Sequence, residues 1–174
     1  MRNIELKAHL SNFDSAHQTA EAIAEKRLGV QHQVDTYFSC HQGRLKLRQI
    51  DRSPAQLVWY ARPDEPGAKA SDYLVVPVAN PETLKAALTA ALGIWVMVKK
   101  HREIFLWKNV RIHLDRVESL GNFIEFEAVL GTGDDDASGH ECLKTLSDQF
   151  QIEPEHLVAN SYSDLLYHSA SECD

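Results

Sequence analysis

Apolar and polar residues alternate with a period of two along about eight stretches of the chain, near 2–10, 31–38, 43–51, 55–63, 72–78, 94–107, 110–118 and 121–130. Such alternation predicts β-strands with two chemically different faces. Several links between them, as at "KNV" and "SLGN", are only a few residues long, which predicts antiparallel neighbours. Three other stretches switch to helical spacing. The first runs from about Ser15 to Leu28, with Ser15 and Gln18 as a capping box, Ala16, Ala20, Ile23 and Ala24 as its apolar stripe, and Gly29 as its stop. The second has Asn80 as cap, Pro81 at the first helical position, and Leu84, Ala87, Leu88 and Ala91 before Gly93. The third follows "GTGDDDASG", with Ser138 and Glu141 as a capping box and Leu143, Leu146 and Phe150 as the buried stripe. A short turn is expected from Pro154. Pro77, inside "YLVVPV", cannot donate to a ladder and predicts an edge, a bulge or an early strand end.

The second face of the strands carries the information. Arg44, Lys46 and Arg48 share one side of "GRLKLRQ", and Glu125 and Glu127 share one side of "NFIEFEAVL". Arg111, His113 and Asp115 oppose Val110, Ile112 and Leu114. Lys100 and Arg102 stand two apart, as do Tyr60 and Arg62, and the first strand sets Asn3, Glu5, Lys7 and His9 on its polar side. One reading is an antiparallel sheet with a single wet face. The other is an eight-stranded antiparallel β-barrel with the helices packed outside, an α+β fold whose charged faces point inward. Three amphipathic helices need apolar sheet surface to cover, which turns the charges toward the interior.

A tunnel lined by many cations needs an anionic occupant, because unpaired buried charges are costly. Glu5, Glu125, Glu127 and Asp115 add clustered oxygen donors without Cys or His, a set suited to Mg²⁺ or Mn²⁺. Basic groups beside a hard divalent cation describe a polyphosphate site, in which arginine forks match phosphate oxygens and lysines act as point charges.

These residues also carry a family resemblance. "NIELK", "GRLKLR", "YARPD" followed by "SDY", "KKHREIFLWKNVRIHLDRVESLGNFIEFE" and "NSYSDLL" together resemble the CYTH group of triphosphate tunnel metalloenzymes, which includes class IV adenylyl cyclases, thiamine triphosphatases and inorganic triphosphatases. The resemblance spans nearly the whole chain and implies one tunnel domain over residues 1–174. Of the group's ExExK signature the chain keeps Glu5 and Lys7, with Asn3 in place of the first glutamate, an amide that retains an oxygen and loses a charge. By resemblance Glu5, Asp115, Glu125 and Glu127 are metal ligands, and Lys7, Arg44, Lys46, Arg48, Arg62, Lys100, Arg102 and Arg111 form the triphosphate clamp. Glu5, Lys7 and Glu127 are the residues expected to matter most for catalysis. The substrate implied is a nucleoside or inorganic triphosphate. In first place stands conversion of ATP to cyclic AMP and pyrophosphate, with hydrolysis of an inorganic or organic (thiamine) triphosphate as the alternative. A polyphosphate-binding module without turnover is the reading of a different class, and the lost charge at Asn3 keeps it open.

Composition narrows the field. The net charge is −7, from 18 Lys and Arg against 25 Asp and Glu, which disfavours a nucleic-acid binder resting on phosphate neutralisation. No stretch approaches the ~18 consecutive apolar residues of a membrane span, and nothing at the amino terminus resembles a secretory signal. A cytoplasmic protein of 174 residues, monomer or homodimer, is therefore expected. Cys40, Cys142 and Cys173 are scattered and odd in number, as reduced thiols would be, and the nine histidines show no metal-ligand spacing. "GTGDDDASG" lacks the spacing of a phosphate loop, so Asp134, Asp135 and Asp136 are read as negative charge favourable to a helix start. Trp59, Trp95 and Trp107 are assigned to packing, Tyr37 and Tyr60 to the tunnel wall, and Tyr162 and Asp164 to packing in a tail motif.

Overall fold

The structure, a computed structural model, describes residues 2–51, 53–131 and 135–171. Among them, strands β1 (Arg2–His9), β2 (Lys26–Phe38), β3 (Arg44–Ile50), β4 (Ser53–Ala61), β5 (Lys69–Val78), β6 (Ile94–Trp107), β7 (Val110–Val117) and β8 (Gly121–Val129) close into a barrel. The order around it is β1-β5-β4-β3-β2-β6-β7-β8, and every neighbouring pair is antiparallel. The barrel expected from alternation is the observed fold. Closure leaves no unpaired sheet edge overall, but β1 pairs with β5 only from Lys69 to Asp72. Beyond that point β5 has β4 alone as neighbour, and Pro77 sits there, where a missing donor breaks no second ladder.

Helices α1 (Phe13–Ile23), α2 (Pro81–Leu92) and α3 (Asp136–Gln149) lie outside the barrel, where the strands' apolar sides need cover. Ile4, Leu6 and Ala8 of β1 face outward into one core with Ala16 and Ala20 of α1 and Leu143 and Leu146 of α3. Leu84 and Leu88 of α2 cover Phe38, Leu47 and Ala55 in a second. The strand that carries the signature residues is thus held from behind. At Gly139 of α3 the approach is so close that a Cβ would meet Ile4 Cγ1 at 2.7 Å, a space open only to glycine.

The helix ends depart from expectation in α1 and α3. Asn12, not Ser15, caps α1, accepting from Ser15 N, and the helix ends at Ile23 because Lys26 already enters β2. Gly29, at φ 100°, makes a β-bulge in the β2–β6 ladder instead of stopping a helix. Asp135, not Ser138, caps α3 and accepts from Ser138 N, while Asp136 in the first turn pairs with Arg2 at 2.7 Å. For α2 the expected cap Asn80, Pro81 and terminal Gly93 are all found. A short 3-10 turn, Pro154–His156, occurs as expected. Gly133, Asp134 and Cys173 lie outside the described residues, and Cys40 and Cys142 are free thiols.

One element escaped the sequence reading. Helix α4 (Tyr162–Ser171) follows a segment bound to β1, where Ala8 bridges Leu157 and Val158 N donates to Lys7 O. Tyr162 and Val158 pack with Tyr37, Val98, Val117 and Phe123 into an apolar cluster that closes one end of the barrel. The interior is therefore polar through much of its depth and plugged by this cluster at one end. No helix among the described residues is long and apolar enough to cross a membrane.

Candidate active site

Cross-strand register assembles the site. On the inward face Glu127 of β8 lies opposite Glu5 of β1 on one side and Arg111 of β7 on the other. Two residues along, Glu125 lies opposite Lys7 and His113. Facing this acidic wall, β3 sets Arg48 opposite Asp35 and Lys46 opposite Tyr37 of β2. The cavity inside the barrel measures about 570 Å³. Glu5, Glu125 and Glu127 line it together with Lys7, Lys46, Arg48, Arg62, Lys100, Arg102 and Arg111.

Each charge has a counter-charge. Glu5 accepts an ion pair from Arg62 Nε at 3.0 Å. Glu125 meets Arg102 at 3.3 Å, His113 Nδ1 at 3.3 Å and Lys7 Nζ at 3.9 Å. Glu127 meets Arg111 at 3.1 Å and accepts from Asn3 Nδ2. Lys46 and Arg48 both reach Asp35, at 2.9 and 2.7 Å. Backbone carbonyls of the plug take up further cations: Lys7 donates to Asn160 O at 3.3 Å, Lys69 to Ala159 O at 2.7 Å and Arg62 to Ala159 O at 3.4 Å.

Burial and these neighbours displace the titrations in a consistent way. Burial pushes the Lys100 ammonium down to about 7, with Arg102 adding repulsion. Lys7 falls to about 8 through burial, opposed by Glu125. Burial raises the Glu5 carboxyl, aided by repulsion from Glu125 and opposed by Arg62. For Glu125 burial is outweighed by Arg102 and His113, which hold it well below the usual carboxylate range. Burial and Arg102 lower His113, whose imidazole stands between Glu125 and Glu127.

Two residues expected in the tunnel are placed elsewhere. Asp115 is 0% exposed and lines no part of the cavity. A bidentate Arg102 fork at 2.7 and 2.6 Å and the Tyr162 hydroxyl at 2.8 Å occupy its oxygens. Arg44 lies past the plugged end, where it joins Asp64 at 2.6 Å and Asp164 at 2.8 Å beside a separate surface pocket. Arg44 is the first residue of β3, so it stands at the strand's end, beyond the lumen. Tyr37 and Tyr60 do line the wall, their hydroxyls 3.5 Å apart. Tyr162 packs, as expected, and also lies under the Lys7 ammonium, 3.9 Å from its ring centroid. Trp95 and Trp107 pack against the cores, and Trp59 donates its indole N–H to Gln42 O.

Sequence reasoning missed Asp35, the counter-ion of Lys46 and Arg48, and the wall residues Gln31 and Gln33. Their signal was present: Gln31, Gln33, Asp35 and Tyr37 are polar at period two along β2.

A family model for the CYTH domain matches residues 1–162. The chain belongs to the CYTH family. Membership places it among triphosphate tunnel enzymes. No curated protein matches the sequence. Among solved structures, the PH1012 protein of Pyrococcus horikoshii shares the CYTH barrel at TM-score 0.81 and 22% identity, covering 94% of this chain and 98% of its own. A Vibrio parahaemolyticus protein provisionally described as an adenylate cyclase aligns at TM-score 0.75 and 21% identity, over 94% of this chain and 97% of that one. A Hippeastrum protein, described as revealing a dominant triphosphatase activity, aligns at TM-score 0.62 and 15% identity, over 97% and 96%. At these identities the likeness is one of fold.

CYTH tunnel enzymes generally depend on a divalent metal. Among the described residues no three acidic, His or Cys side chains converge on one metal-sized point, because each tunnel carboxylate is turned toward a cation. The donor set itself fits a hard divalent ion: three carboxylates on adjacent strands, with Asn3 Oδ1 beside them, buried and without a hydrogen-bond partner.

Proposed function

We propose that this protein is a divalent-metal-dependent enzyme that binds a triphosphate inside the barrel, and that ATP, converted to cyclic AMP and pyrophosphate, is its first substrate. The observation that carries the reading is one cavity in which seven cations, Lys7, Lys46, Arg48, Arg62, Lys100, Arg102 and Arg111, share the wall with three carboxylates. Glu5, Glu125 and Glu127 would hold Mg²⁺ or Mn²⁺, which supplies charge neutralisation and activation of the attacking oxygen when bound. Asn3 Nδ2 and His113 fix the orientation of Glu127 and Glu125.

The cations do the positioning. Phosphate oxygens replace the Ala159 and Asn160 carbonyls as acceptors for Lys7 and Arg62, so the far end of the phosphate chain lies against the plug. The organic group then points to the open mouth. In cyclisation the ribose 3′-hydroxyl gives up its proton to solvent as its oxygen attacks the α-phosphorus, the bond to the bridging oxygen breaks, and the charge that develops on pyrophosphate falls on the Lys46, Arg48 and Arg62 side of the tunnel. Hydrolysis of a terminal phosphate by water uses the same clamp, and the triphosphatase activity described for the Hippeastrum relative keeps it as the second reading. Incubation with ATP or tripolyphosphate and Mg²⁺ or Mn²⁺ tests the proposal through its products. Cyclic AMP with pyrophosphate is expected; free phosphate alone establishes the hydrolase, and bound but unchanged ligand removes the enzyme.

Binding should also take up protons. Lys100 and Lys7 titrate at about 7 and about 8 in the free protein, so at pH 8.5 much of their charge is missing. A bound polyanion favours the charged ammonium and raises both values. Tripolyphosphate affinity therefore falls as pH rises from about 7 to about 9, and calorimetry at pH 8.5 in buffers of different ionisation enthalpy should show net proton uptake. Absence of uptake would mean that these lysines do not face the anion.

A further inference from the structure

The open end of the tunnel differs chemically from the basic end. Leu28, Ile50 and Val75 line it beside the amides Gln31, Gln33 and Gln56. A bare phosphate chain gains nothing from aliphatic surface, whereas ligands with a carbon skeleton do.

Gln33 is the most constrained of the three amides. It is 2% exposed, and its Nε2 donates to Gln31 Oε1 at 2.7 Å. Its own Oε1 is buried without any hydrogen-bond partner. A buried acceptor in that state is destabilising and is stabilised by whatever donor a ligand brings. Across the β2–β6 ladder Gln33 lies opposite Lys100 and Gln31 opposite Arg102, so the pair borders the basic wall. On its other side Gln33 lies opposite Ile50 of β3. The free oxygen thus sits at the junction between the phosphate clamp and the apolar mouth.

We propose that Gln33 is a specificity-determining residue whose Oε1 accepts a hydrogen bond from a hydroxyl on the organic group of a triphosphate ester. The preferred ligand is then a hydroxyl-bearing ester of the ribonucleoside type, ahead of inorganic tripolyphosphate. At the junction, the donor must lie within a few bonds of the ester oxygen, as a sugar hydroxyl does. This rests on the reading that the tunnel binds triphosphates.

The test is titration calorimetry with Mg²⁺ and phosphate chains blocked against turnover by methylene bridges. The ligands are the ATP analogue, its 2′,3′-dideoxy counterpart and the inorganic chain. Wild-type protein should bind the ATP analogue roughly 5- to 10-fold more tightly than its dideoxy counterpart, as one hydrogen bond to a buried acceptor implies. Gln33→Leu should abolish that preference and leave the affinity for the inorganic chain unchanged. Gln33→Glu keeps the acceptor and adds a charge, so it should weaken all three ligands while preserving the preference. Equal binding of ribo and dideoxy ligands by wild type, or equal losses for all three in Gln33→Leu, overturns the assignment. If the inorganic chain does not bind wild type at all, the clamp reading fails first and takes this one with it.

Discussion

Glu127→Gln should abolish turnover and leave the barrel folded. The carboxylate lies across from Glu5, accepts from Asn3 and pairs with an Arg111 side chain that is 46% exposed. An ion pair to so exposed a partner contributes little, within about 1 kcal/mol, and glutamine keeps the shape and an acceptor for Asn3. What the substitution removes is one of the three carboxylate charges that line the cavity. Burial alone would raise the Glu127 carboxyl, but His113 and Arg111 hold it below its ordinary value, so it is ionised throughout the working pH range. Loss of one anionic oxygen donor from the proposed metal site should lower product formation by roughly a thousandfold, comparable to removing a principal transition-state stabiliser. The two readouts are product formation from ATP with Mg²⁺ or Mn²⁺ and the urea midpoint of unfolding. Near wild-type turnover would take Glu127 out of the chemistry; a collapsed midpoint would make it a structural residue.

The alternation along β1, β3, β6, β7 and β8 made the barrel and its charged lining legible, because a period of two fixes which residues share a face without knowledge of the neighbours. Which face turns inward followed from the helices, whose apolar stripes must cover something. Finer distinctions depend on position along the strand and on three-dimensional partners. Arg44, Lys46 and Arg48 look equivalent in sequence, yet Arg44, at the start of β3, stands outside the lumen with Asp64 and Asp164. Asp115 and Glu127 both look like ligands, and only the folded arrangement shows which carboxylate an arginine fork has claimed. Helix α4 was invisible as a helix because its role is to plug a barrel end, and the surfaces that bury Tyr162, Phe123 and Val117 among them, come from remote parts of the chain. The Gly29 bulge was read as a helix stop for the same reason: glycine reports a backbone need, not which element has it.

Replacement of Asp115 should act on stability before it acts on chemistry. Its carboxylate receives both prongs of Arg102, the Tyr162 hydroxyl and the Lys100 ammonium at 3.7 Å. In Asp115→Ala the buried Arg102 keeps only Glu125, at 3.3 Å, and Tyr162 loses the acceptor for its hydroxyl. Breaking one side of a buried pair costs about 3–5 kcal/mol, since the remaining charge stays desolvated. Burial works against ionisation of Asp115, but Arg102 and Lys100 outweigh it and hold the carboxyl at about 2. Its contribution is therefore complete above the unfolded value of roughly 3.9 and is lost as pH falls through about 2. Urea unfolding at neutral pH should show the full loss, and the difference between variant and wild type should narrow as pH is lowered from about 4 toward about 2. Because Tyr162 begins α4 and lies under Lys7, the same substitution loosens the plug, so triphosphate affinity should fall along with stability even though Asp115 lines no part of the cavity. A stability loss below about 1 kcal/mol would show that Arg102 is satisfied without it, and would return Asp115 to the set of carboxylates free to bind a cation.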